Sequence, residues 1–272
     1  MDNRPIGYFD SGIGGLTALK EHFSILPEED IIYVSDEAHL PYGTKSYVEV
    51  TQLSRKIIEF LISKNVKAIV CACNTASALA IPTLQKEFSL PITGVVCAGS
   101  QKSVEVTKNK KIAVIATEAT IRSQKFNKII YELDPHIEVF GYPAQSLVDL
   151  IEKGNYKFPQ SQKEIKRILS PLQDEIADTL ILGCTHFPII EDEIAIVTNH
   201  RFKMVNPGRE SVKQLKKYLL ERDLIHEHRS DKSLQEFYTT GDLMNLKKVG
   251  AAFLNQPIKE VKILNLENKW KK

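Results

Sequence analysis

Two stretches of the chain follow one plan: Val66-Lys67-Ala68-Ile69-Val70-Cys71-Ala72-Cys73-Asn74-Thr75 and Ala177-Asp178-Thr179-Leu180-Ile181-Leu182-Gly183-Cys184-Thr185-His186. Each is an apolar run of strand-forming residues that ends in a cysteine followed by two polar residues. A helix candidate follows each stretch, entered through residues 76–79 in the first case and through Pro188 in the second. The shared plan predicts two strands that each carry one thiol at the carboxyl end.

A second pair of similar segments precedes these two stretches. The strand candidate at residues 6–9 ends in Asp10-Ser11-Gly12, and the candidate at residues 112–116 ends in Thr117-Glu118-Ala119-Thr120. The chain is therefore predicted to consist of two similar halves, each with one cysteine at a strand end. The similarity is too weak to count as a sequence repeat, so this remains a prediction about the structure.

Short strand-like runs alternate with helical patterns along most of the sequence. The clearest helical pattern covers residues 46–64, where Leu53, Ile57, Phe60 and Leu61 fall on one face with charges opposite. The strand candidates are residues 5–9, 30–34, 68–72, 93–96, 112–116, 138–142, 179–182 and 202–205. This alternation predicts an α/β protein with parallel sheets and crossover helices. In such proteins ligands bind beyond the carboxyl ends of the strands.

Charge and composition argue against several classes of partner. The 272 residues contain 36 Lys and Arg against 34 Asp and Glu, a formal net charge of +2. Both signs are interspersed, so we expect no nucleic-acid partner, although the tail at residues 269–272 is locally basic. No apolar stretch approaches the ~18 residues that span a bilayer, and Asp10 interrupts the short apolar run near the start. We expect a cytoplasmic protein without a membrane partner, in which the four cysteines are thiols.

The first predicted strand leads into the turn Asp10-Ser11-Gly12-Ile13-Gly14-Gly15. A dinucleotide-binding fingerprint would need a third glycine at position 17, where this chain has Thr17. Asp10 or Ser11 could cap the following helix, or the backbone N–H groups of the turn could hold a substrate carboxylate. A second turn, Pro41-Tyr42-Gly43, precedes the long helix and carries little information alone.

The four cysteines have different sequence contexts. Cys71 lies inside an apolar strand candidate and Cys97 follows another, so we predict both to be small buried hydrophobic residues. Cys73 and Cys184 differ, because polar residues follow each of them at a strand end. A thiol has an ordinary pKa of about 8.5, which makes it a useful acid or base near neutral pH. His186 follows Cys184 closely and could tune that thiol or carry a proton.

Three other functions fit parts of this pattern. Cys71-x-Cys73 and Cys184-x-His186 together supply four soft ligands, but structural zinc prefers two to four residues between paired ligands. A Cys184–His186 nucleophile would suit a thiol hydrolase, but it leaves Cys73 unexplained. A non-enzymatic binding protein made of two similar halves is the third alternative, and it leaves both thiols unexplained.

Four motifs together resemble those of bacterial glutamate racemases, in order and in spacing. They are Asp10-Ser11-Gly12-Ile13-Gly14-Gly15-Leu16, Pro41-Tyr42-Gly43, Cys73-Asn74-Thr75-Ala76 and Gly183-Cys184-Thr185-His186-Phe187-Pro188. The resemblance runs from about residue 5 to about residue 212. Thr185-His186 is similar to the glutamate branch of the wider aspartate/glutamate racemase group, because aspartate racemases usually carry a glutamate at the histidine position.

The resemblance implies a fold with two parts. It consists of two similar doubly wound α/β domains, whose parallel sheets face each other across a central cleft. The first domain would comprise residues 1–97 and 208–272, and the second would comprise residues 98–207. The active site is expected in the cleft between them.

The resemblance also implies a role for each motif residue. Cys73 and Cys184 would be the two catalytic bases, and Asp10 and His186 would assist proton transfer, each near one thiol. The residues implied to bind the substrate are Asp10, Ser11, Tyr42, Gly43, Asn74, Thr75, Thr117, Thr120, Thr185 and His186, and the supporting carboxylates are Asp36 and Glu152. Neither a metal nor a cofactor is implied.

The implied activity is the interconversion of L- and D-glutamate for peptidoglycan precursor synthesis, and hence for cell-wall biogenesis and cell shape. One thiolate would remove the Cα proton from one face while the opposite thiol delivers a proton to the other. Two similar halves that face one another suit this near-mirror arrangement. We expect a homodimer.

Overall fold

The computed structural model describes residues 1–154, 156, 160–226 and 233–267, so the basic tail at residues 269–272 lies outside the described residues. The strands are β1 (Ile6–Asp10), β2 (Ile31–Ser35), β3 (Ala68–Cys71), β4 (Ile92–Gly94), β5 (Lys111–Ala116), β6 (Glu138–Pro143), β7 (Thr179–Gly183), β8 (Lys203–Val205), β9 (Gln235–Thr239) and β10 (Val261–Ile263). The helices are α1 (Leu16–Ile25), α2 (Tyr47–Ser63), α3 (Asn74–Leu79), α4 (Ile81–Glu87), α5 (Val95–Val106), α6 (Glu118–Arg122), α7 (Lys125–Leu133), α8 (Gln145–Glu152), α9 (Ser161–Ile168), α10 (Glu191–Val197), α11 (Pro207–Glu221) and α12 (Leu243–Leu254). None of these described helices is long and apolar enough to cross a membrane.

The strands form two sheets. Within the described residues there is a six-stranded sheet in the order β10-β9-β2-β1-β3-β4 and a four-stranded sheet in the order β6-β5-β7-β8. Neighbouring strands in both sheets are parallel, which confirms the predicted α/β class. The order of the strands reverses between β1 and β3 in the first sheet and between β5 and β7 in the second. Such a reversal opens a crevice beyond the carboxyl ends of the strands.

Helices cover both faces of the first sheet. Tyr8 of β1 belongs to a buried cluster with Leu16 of α1 and Leu215 of α11. Its neighbour Phe9 belongs to the cluster on the other face, with Ile57 of α2. Side chains buried on both faces explain why these strands are continuous apolar runs, and each contributes about 1.5–3 kcal/mol of stability. The second sheet likewise lies between two buried clusters, so the strand ends are the places left for a ligand.

Helix α2 follows the predicted pattern closely. Ser46 precedes it and forms a capping box with Glu49, in which each side chain accepts a hydrogen bond from the backbone N–H of the other residue. The side chains predicted to face the core are buried or partly buried: Leu53, Ile57, Phe60 and Leu61. The long helix therefore packs on the sheet through the face that the sequence indicates.

One strand prediction is wrong in its second half. The predicted strand at residues 93–96 ends at Gly94, and α5 begins at Val95. The N–H of Val96 donates to the hydroxyl of Ser77 at 3.0 Å, which satisfies one of the free N–H groups at the start of the helix. The β-branched pair favours a strand locally, but its tertiary contacts stabilise a helix here.

The remaining strand predictions are confirmed to within about two residues, whereas β9 and β10 are absent from the prediction. Strands between residues 6 and 94 and between 235 and 263 form the first sheet, and strands between residues 111 and 205 form the second. The domain boundaries at residues 97/98 and 207/208 stay a prediction. They fall inside α5 and at the start of α11, the two helices that lead between the sheets.

Candidate active site

A small cavity lies where the carboxyl ends of the two sheets meet. Cys73 directly follows the end of β3 and Cys184 directly follows β7, and each strand borders a reversal of strand order. The cavity has a volume of about 20 Å³, which is room for about one water molecule. It is lined by Ser11, Leu40, Pro41, Tyr42, Gly43, Cys73, Asn74, Thr75, Thr117, Gln145, Val148, Cys184, Thr185 and His186. The two sheets therefore bring both thiols, each free and buried, to one enclosed place.

Cys73 caps the short helix α3. The backbone N–H of Ala76 donates to its sulfur at 3.5 Å, and its thiol donates to the hydroxyl of Ser11 at 3.7 Å. Burial raises the pKa of the Cys73 thiol, and the nearby Asp10 carboxylate raises it further. Both effects disfavour the thiolate, so this surrounding favours a protonated Cys73 that can donate a proton.

Asp10, the last residue of β1, is fully buried and contacts both halves of the molecule. Its Oδ2 accepts the N–H of Gly15 at 2.7 Å and the hydroxyl of Thr185 at 3.4 Å. A Cβ at Gly15 would lie 2.5 Å from that of Asp10, so the turn has no room for a side chain there. Burial raises the pKa of Asp10, against the opposing effect of His186. The carboxyl group therefore fixes the turn, although neither the short helical turn at Ile13–Gly15 nor α1 has a side-chain cap, and through Thr185 it also reaches the cavity wall.

Cys184 is paired with a histidine. Its sulfur lies 3.6 Å from Nδ1 of His186, whose Nε2 lies 3.2 Å from Oε1 of Glu152. The Glu152 contact is within ion-pair range, although it is not aligned as a hydrogen bond. Burial opposes the charged imidazolium, but Cys184 and Glu152 outweigh burial and raise the pKa of His186 to about 10. His186 is therefore positively charged near neutral pH, and it places a cation 3.6 Å from the sulfur of Cys184.

Three threonines join the two walls of the cavity. The hydroxyl of Thr75, on α3, lies 3.0 Å from that of Thr117 and 3.3 Å from that of Thr120. Thr117 and Thr120 lie 3.0 Å apart at the end of β5, where Thr117 caps α6. These hydroxyls hold the first half against the second, and they can also donate hydrogen bonds to an anionic group.

Buried polar atoms without a partner concentrate at this site. Six buried side-chain nitrogen or oxygen atoms of the described residues lack a hydrogen-bond partner. Four of them are here: Asp10 Oδ1, Asn74 Oδ1, Gln145 Oε1 and His186 Nε2. Native proteins rarely leave such atoms unsatisfied, so their concentration indicates a polar ligand.

Asp36 supports the turn beside the cavity and does not line it. Its carboxylate accepts the hydroxyls of Tyr42 at 2.5 Å and Thr240 at 2.7 Å, and it contacts Nδ1 of His39 at 2.7 Å. Burial and the Asp36 carboxylate raise the pKa of Tyr42, so that phenol stays protonated. Asp36 thus fixes the turn that brings Gly43 to the cavity.

The chain is similar to known racemases along nearly its whole length. Residues 17–215 match the model of the Asp/Glu/Hydantoin racemase family. The glutamate racemase of Pediococcus pentosaceus is 40% identical over 265 residues, which cover 97% of this chain and 100% of the relative. This chain belongs to the Asp/Glu/Hydantoin racemase family.

Solved structures agree with the family assignment. A crystal structure of glutamate racemase isoform RacE1 from Bacillus anthracis matches with a TM-score of 0.95 at 33% identity, over 99% of this chain and 100% of that chain. A glutamate racemase from Francisella tularensis, in complex with D-glutamate, matches with a TM-score of 0.90 at 38% identity, over 98% and 99%. The resemblance stated from the four motifs is confirmed, and the chain is an amino-acid racemase.

The other two cysteines of this racemase lie outside the cavity. Cys71 is buried in the core, as predicted, where its thiol donates to the carbonyl of Cys73 at 3.5 Å. The prediction that Cys97 is buried is wrong, because it lies exposed in the first turn of α5 and not behind a strand. In the described part of the chain, no group of three or more His, Cys, Asp or Glu could hold a metal ion. The zinc interpretation therefore has no support in these residues.

Sequence reasoning missed four residues that line the cavity of this racemase. They are Leu40, Pro41, Gln145 and Val148. Gln145 and Val148 lie one turn apart on α8, and residues at this spacing share one helix face. Their sequence signal is an ordinary amphipathic helix, which does not reveal that one face meets a cleft.

Proposed function

We propose that this racemase interconverts L- and D-glutamate without a cofactor, using Cys73 and Cys184 as opposing bases. The observation that carries the proposal is the pair of free, buried thiols, delivered by corresponding strands of two sheets to one cavity. Glutamate as substrate is supported by the relatives, one of which is described in complex with D-glutamate. The cavity supplies hydroxyl and amide groups for carboxylates, and Asp10, which contacts the lining residue Thr185 and lies near Cys73, supplies a carboxylate for an ammonium group.

In the L-to-D direction, the Cys184 thiolate takes the Cα proton and its electron pair stays on Cα. The Cys73 thiol then gives its proton to the opposite face, which leaves Cys73 as the thiolate. The reverse direction exchanges these roles, and a full cycle requires the protons to redistribute between the thiols and solvent. We predict that each sulfur lies within about 3–4 Å of the substrate Cα, so that the two sulfurs are roughly 7–8 Å apart.

His186 and Asp10 assist this transfer in different ways. The imidazolium of His186 contacts the Cys184 sulfur while that sulfur acts as the base, and it returns a proton to the pair afterwards. Asp10 lies beside Cys73, where a buried carboxyl with a raised pKa can accept or return the proton of that thiol.

The charge that develops at Cα and its carboxylate needs stabilisation by the protein. Hydroxyls of Thr75, Thr117 and Thr185 line the cavity, together with the amide of Asn74. Fixed donors of this kind act more strongly in a closed, dry site than they would in water. We propose that they bind the α-carboxylate as the electron pair delocalises into it.

Substrate entry requires the walls of the cavity to separate. A volume of about 20 Å³ is far too small for an amino acid with a five-carbon chain. Two contacts join the halves. The hydroxyls of Thr75 and Thr117 lie 3.0 Å apart, and the Thr17 hydroxyl donates to the carbonyl of Thr185 at 2.9 Å. We propose that these contacts break on opening and that closure excludes water from the proton transfer.

The proposal extends to the cellular role that the resemblance implies. D-Glutamate is a component of bacterial peptidoglycan, so we propose that the protein supplies this precursor in the cytoplasm and works as a homodimer. Thr185-His186 leads us to expect glutamate to be used far better than aspartate, because a shorter side chain misplaces Cα between the thiols.

The test of the proposed function is incubation of the purified protein with D-glutamate in deuterated water, without added cofactor. We expect L-glutamate to form with deuterium at Cα, measured by chiral chromatography and proton NMR. Absence of racemisation, or strict dependence on an added cofactor, would contradict the proposal.

A further inference from the structure

Gln145 brings an amide into the cavity from a wall that the motif residues do not form. It is the first residue of α8, directly beyond β6 and Ala144, and it lines the cavity. The residue is partly exposed, yet its Oε1 is buried and has no hydrogen-bond partner among the described residues. A buried amide oxygen without a partner costs about 1–3 kcal/mol, so this orientation favours a bound polar group.

The amide lies where the turn at Gly43 approaches the second half of the racemase. A Cβ built on Gly43 would lie 2.7 Å from Oε1 of Gln145 and 2.9 Å from Cβ of Thr117. Position 43 therefore has no room for a side chain, and its glycine lets the amide reach the turn.

The place of Gln145 in the chain indicates which end of a substrate it meets. Asn74 and Thr75 directly follow Cys73, and Thr185 directly follows Cys184, so these residues are tied to the thiols that flank Cα. They are the natural partners for the carboxylate attached to Cα. Gln145 and Gly43 enter from other elements, neither of which carries a thiol, so they are placed for a group further from Cα.

We infer that Gln145 donates a hydrogen bond to the side-chain carboxylate of glutamate and so selects this substrate; the inference rests on the proposed function. The oxygen and nitrogen of the amide exchange places by a half-turn about the last side-chain bond, which moves no other atom. That turn presents N–H to a carboxylate and leaves the oxygen on the opposite side. A neutral donor binds the carboxylate without adding a charge beside the thiols.

The test compares Gln145→Glu and Gln145→Leu with the unaltered racemase and with Gln173→Glu, an exposed glutamine in the same half. We expect the KM for both enantiomers of glutamate to rise by about tenfold in Gln145→Leu and by about a hundredfold in Gln145→Glu. The kcat should stay within about threefold, and Gln173→Glu should change neither constant. An unchanged KM in Gln145→Glu, or a fall in kcat at constant KM, would overturn the inference.

A second measurement identifies the group that Gln145 contacts. D-Norvaline has the carbon chain of glutamate with a methyl group in place of the side-chain carboxylate. Its inhibition constant against glutamate racemisation should change by less than about threefold in Gln145→Glu. An equal loss for norvaline would place Gln145 at the α-carboxylate, and tighter binding of glutamate would place it at the ammonium group; either result overturns the inference. Failure of the unaltered protein to racemise glutamate would instead contradict the proposed function.

Discussion

Cys73 and Cys184 occupy equivalent positions in two similar sheets, but their neighbours differ in charge. Cys73 follows β3 and lies near the buried carboxyl group of Asp10, which together with burial raises its pKa. Cys184 follows β7 and lies 3.6 Å from His186, which is held in its charged form with the help of Glu152. The two thiols therefore have neighbours of opposite character, a buried carboxyl group beside Cys73 and a charged imidazolium beside Cys184.

The comparison separates two contributions to the site. The repeated strand-turn-helix plan places one sulfur on each side of the cavity, and each side adds a different ionisable neighbour, Asp10 beside Cys73 and His186 beside Cys184. Under the proposed roles, Cys184 takes the proton from L-glutamate and Cys73 delivers one. The D-enantiomer requires the opposite protonation, so the two directions depend on different residues.

Replacing either thiol should produce the largest effect and the clearest separation of the two sides. Cys73→Ser and Cys184→Ser should each lower racemisation by about 10²–10⁴-fold or more, because a hydroxyl is a far weaker acid and base than a thiol. A glutamate analogue with chlorine on Cβ needs only proton removal, after which chloride leaves with its bonding pair. Chloride release should persist only for the L-form in Cys73→Ser and only for the D-form in Cys184→Ser.

The exposed Cys97 supplies the matched control for this experiment. Cys97→Ser should leave racemisation and both elimination reactions unchanged, since that thiol lies outside the cavity. If both active-site variants eliminated chloride equally from both enantiomers, neither cysteine would be a base specific to one face. That result would contradict the assignment of one thiol to each enantiomer.

Replacing the residue beside each thiol should slow chloride release less than replacing the thiol, and it should affect mainly one enantiomer. His186→Asn should slow chloride release from the L-form by about 10- to 100-fold, the range for losing a hydrogen bond to a charged group. It should change the D-form by less than about threefold. Asp10→Asn keeps an oxygen for the Gly15 N–H and should show the opposite preference. Equal losses for both enantiomers in both variants would show that these residues do not act on separate thiols.

The pH dependence of elimination should also differ between the two sides. Burial and Asp10 raise the pKa of Cys73 and keep it protonated, so its thiolate fraction should rise about tenfold per pH unit below that pKa. Chloride release from the D-form should rise with that fraction. The raised pKa of His186 keeps its charge below pH about 10, so release from the L-form should lose the support of that charge and decline above about pH 10. Stopped-flow measurement of kcat/KM for each enantiomer tests this, and parallel profiles would contradict the assignment of a different thiol to each enantiomer.

Replacing the supporting carboxylates, Glu152 and Asp36, should have the smallest effects on the reaction of either enantiomer. Glu152 is partly exposed, so Glu152→Gln should slow release from the L-form by no more than about fivefold, with the D-form unaffected. Asp36 contacts Tyr42 and no thiol, so Asp36→Asn should raise KM for both enantiomers alike without changing their ratio. A selective effect of Asp36→Asn on one enantiomer would show that it acts on proton transfer.

Much of the fold could be predicted because most of its strands are apolar runs separated by helical patterns. The strand ends at Cys73 and Cys184 could be predicted for a related reason, since polar residues that follow an apolar strand mark its carboxyl end. The pair Val95-Val96 misled the prediction, because β-branched residues favour a strand locally while contacts with α3 stabilise a helix start. The strands β9 and β10 are absent from the prediction because they are short and partly polar, so they form no continuous apolar run; they lie together at one edge of the sheet.

The motif residues of the site could be predicted from the sequence, but not all of the residues that complete the cavity wall. Gln145 lies in an amphipathic helix whose sequence does not show which neighbour its faces meet, so its contact with Gly43 emerges only from the packing of the two halves. The different surroundings of the two thiols also depend on packing. His186 is close to Cys184 in sequence, whereas Asp10 is brought to Cys73 because β1 and β3 pair in the sheet.

The most direct test of two opposing bases follows the first turnovers of unlabelled L-glutamate in deuterated water. If one thiol takes the Cα proton and the other delivers deuterium from solvent, the first D-glutamate formed carries deuterium while the remaining L-glutamate keeps its hydrogen. Chiral separation followed by mass spectrometry measures both pools. Deuterium that appeared in recovered L-glutamate as fast as in D-glutamate would indicate a single base serving both faces, and it would contradict the roles assigned to Cys73 and Cys184.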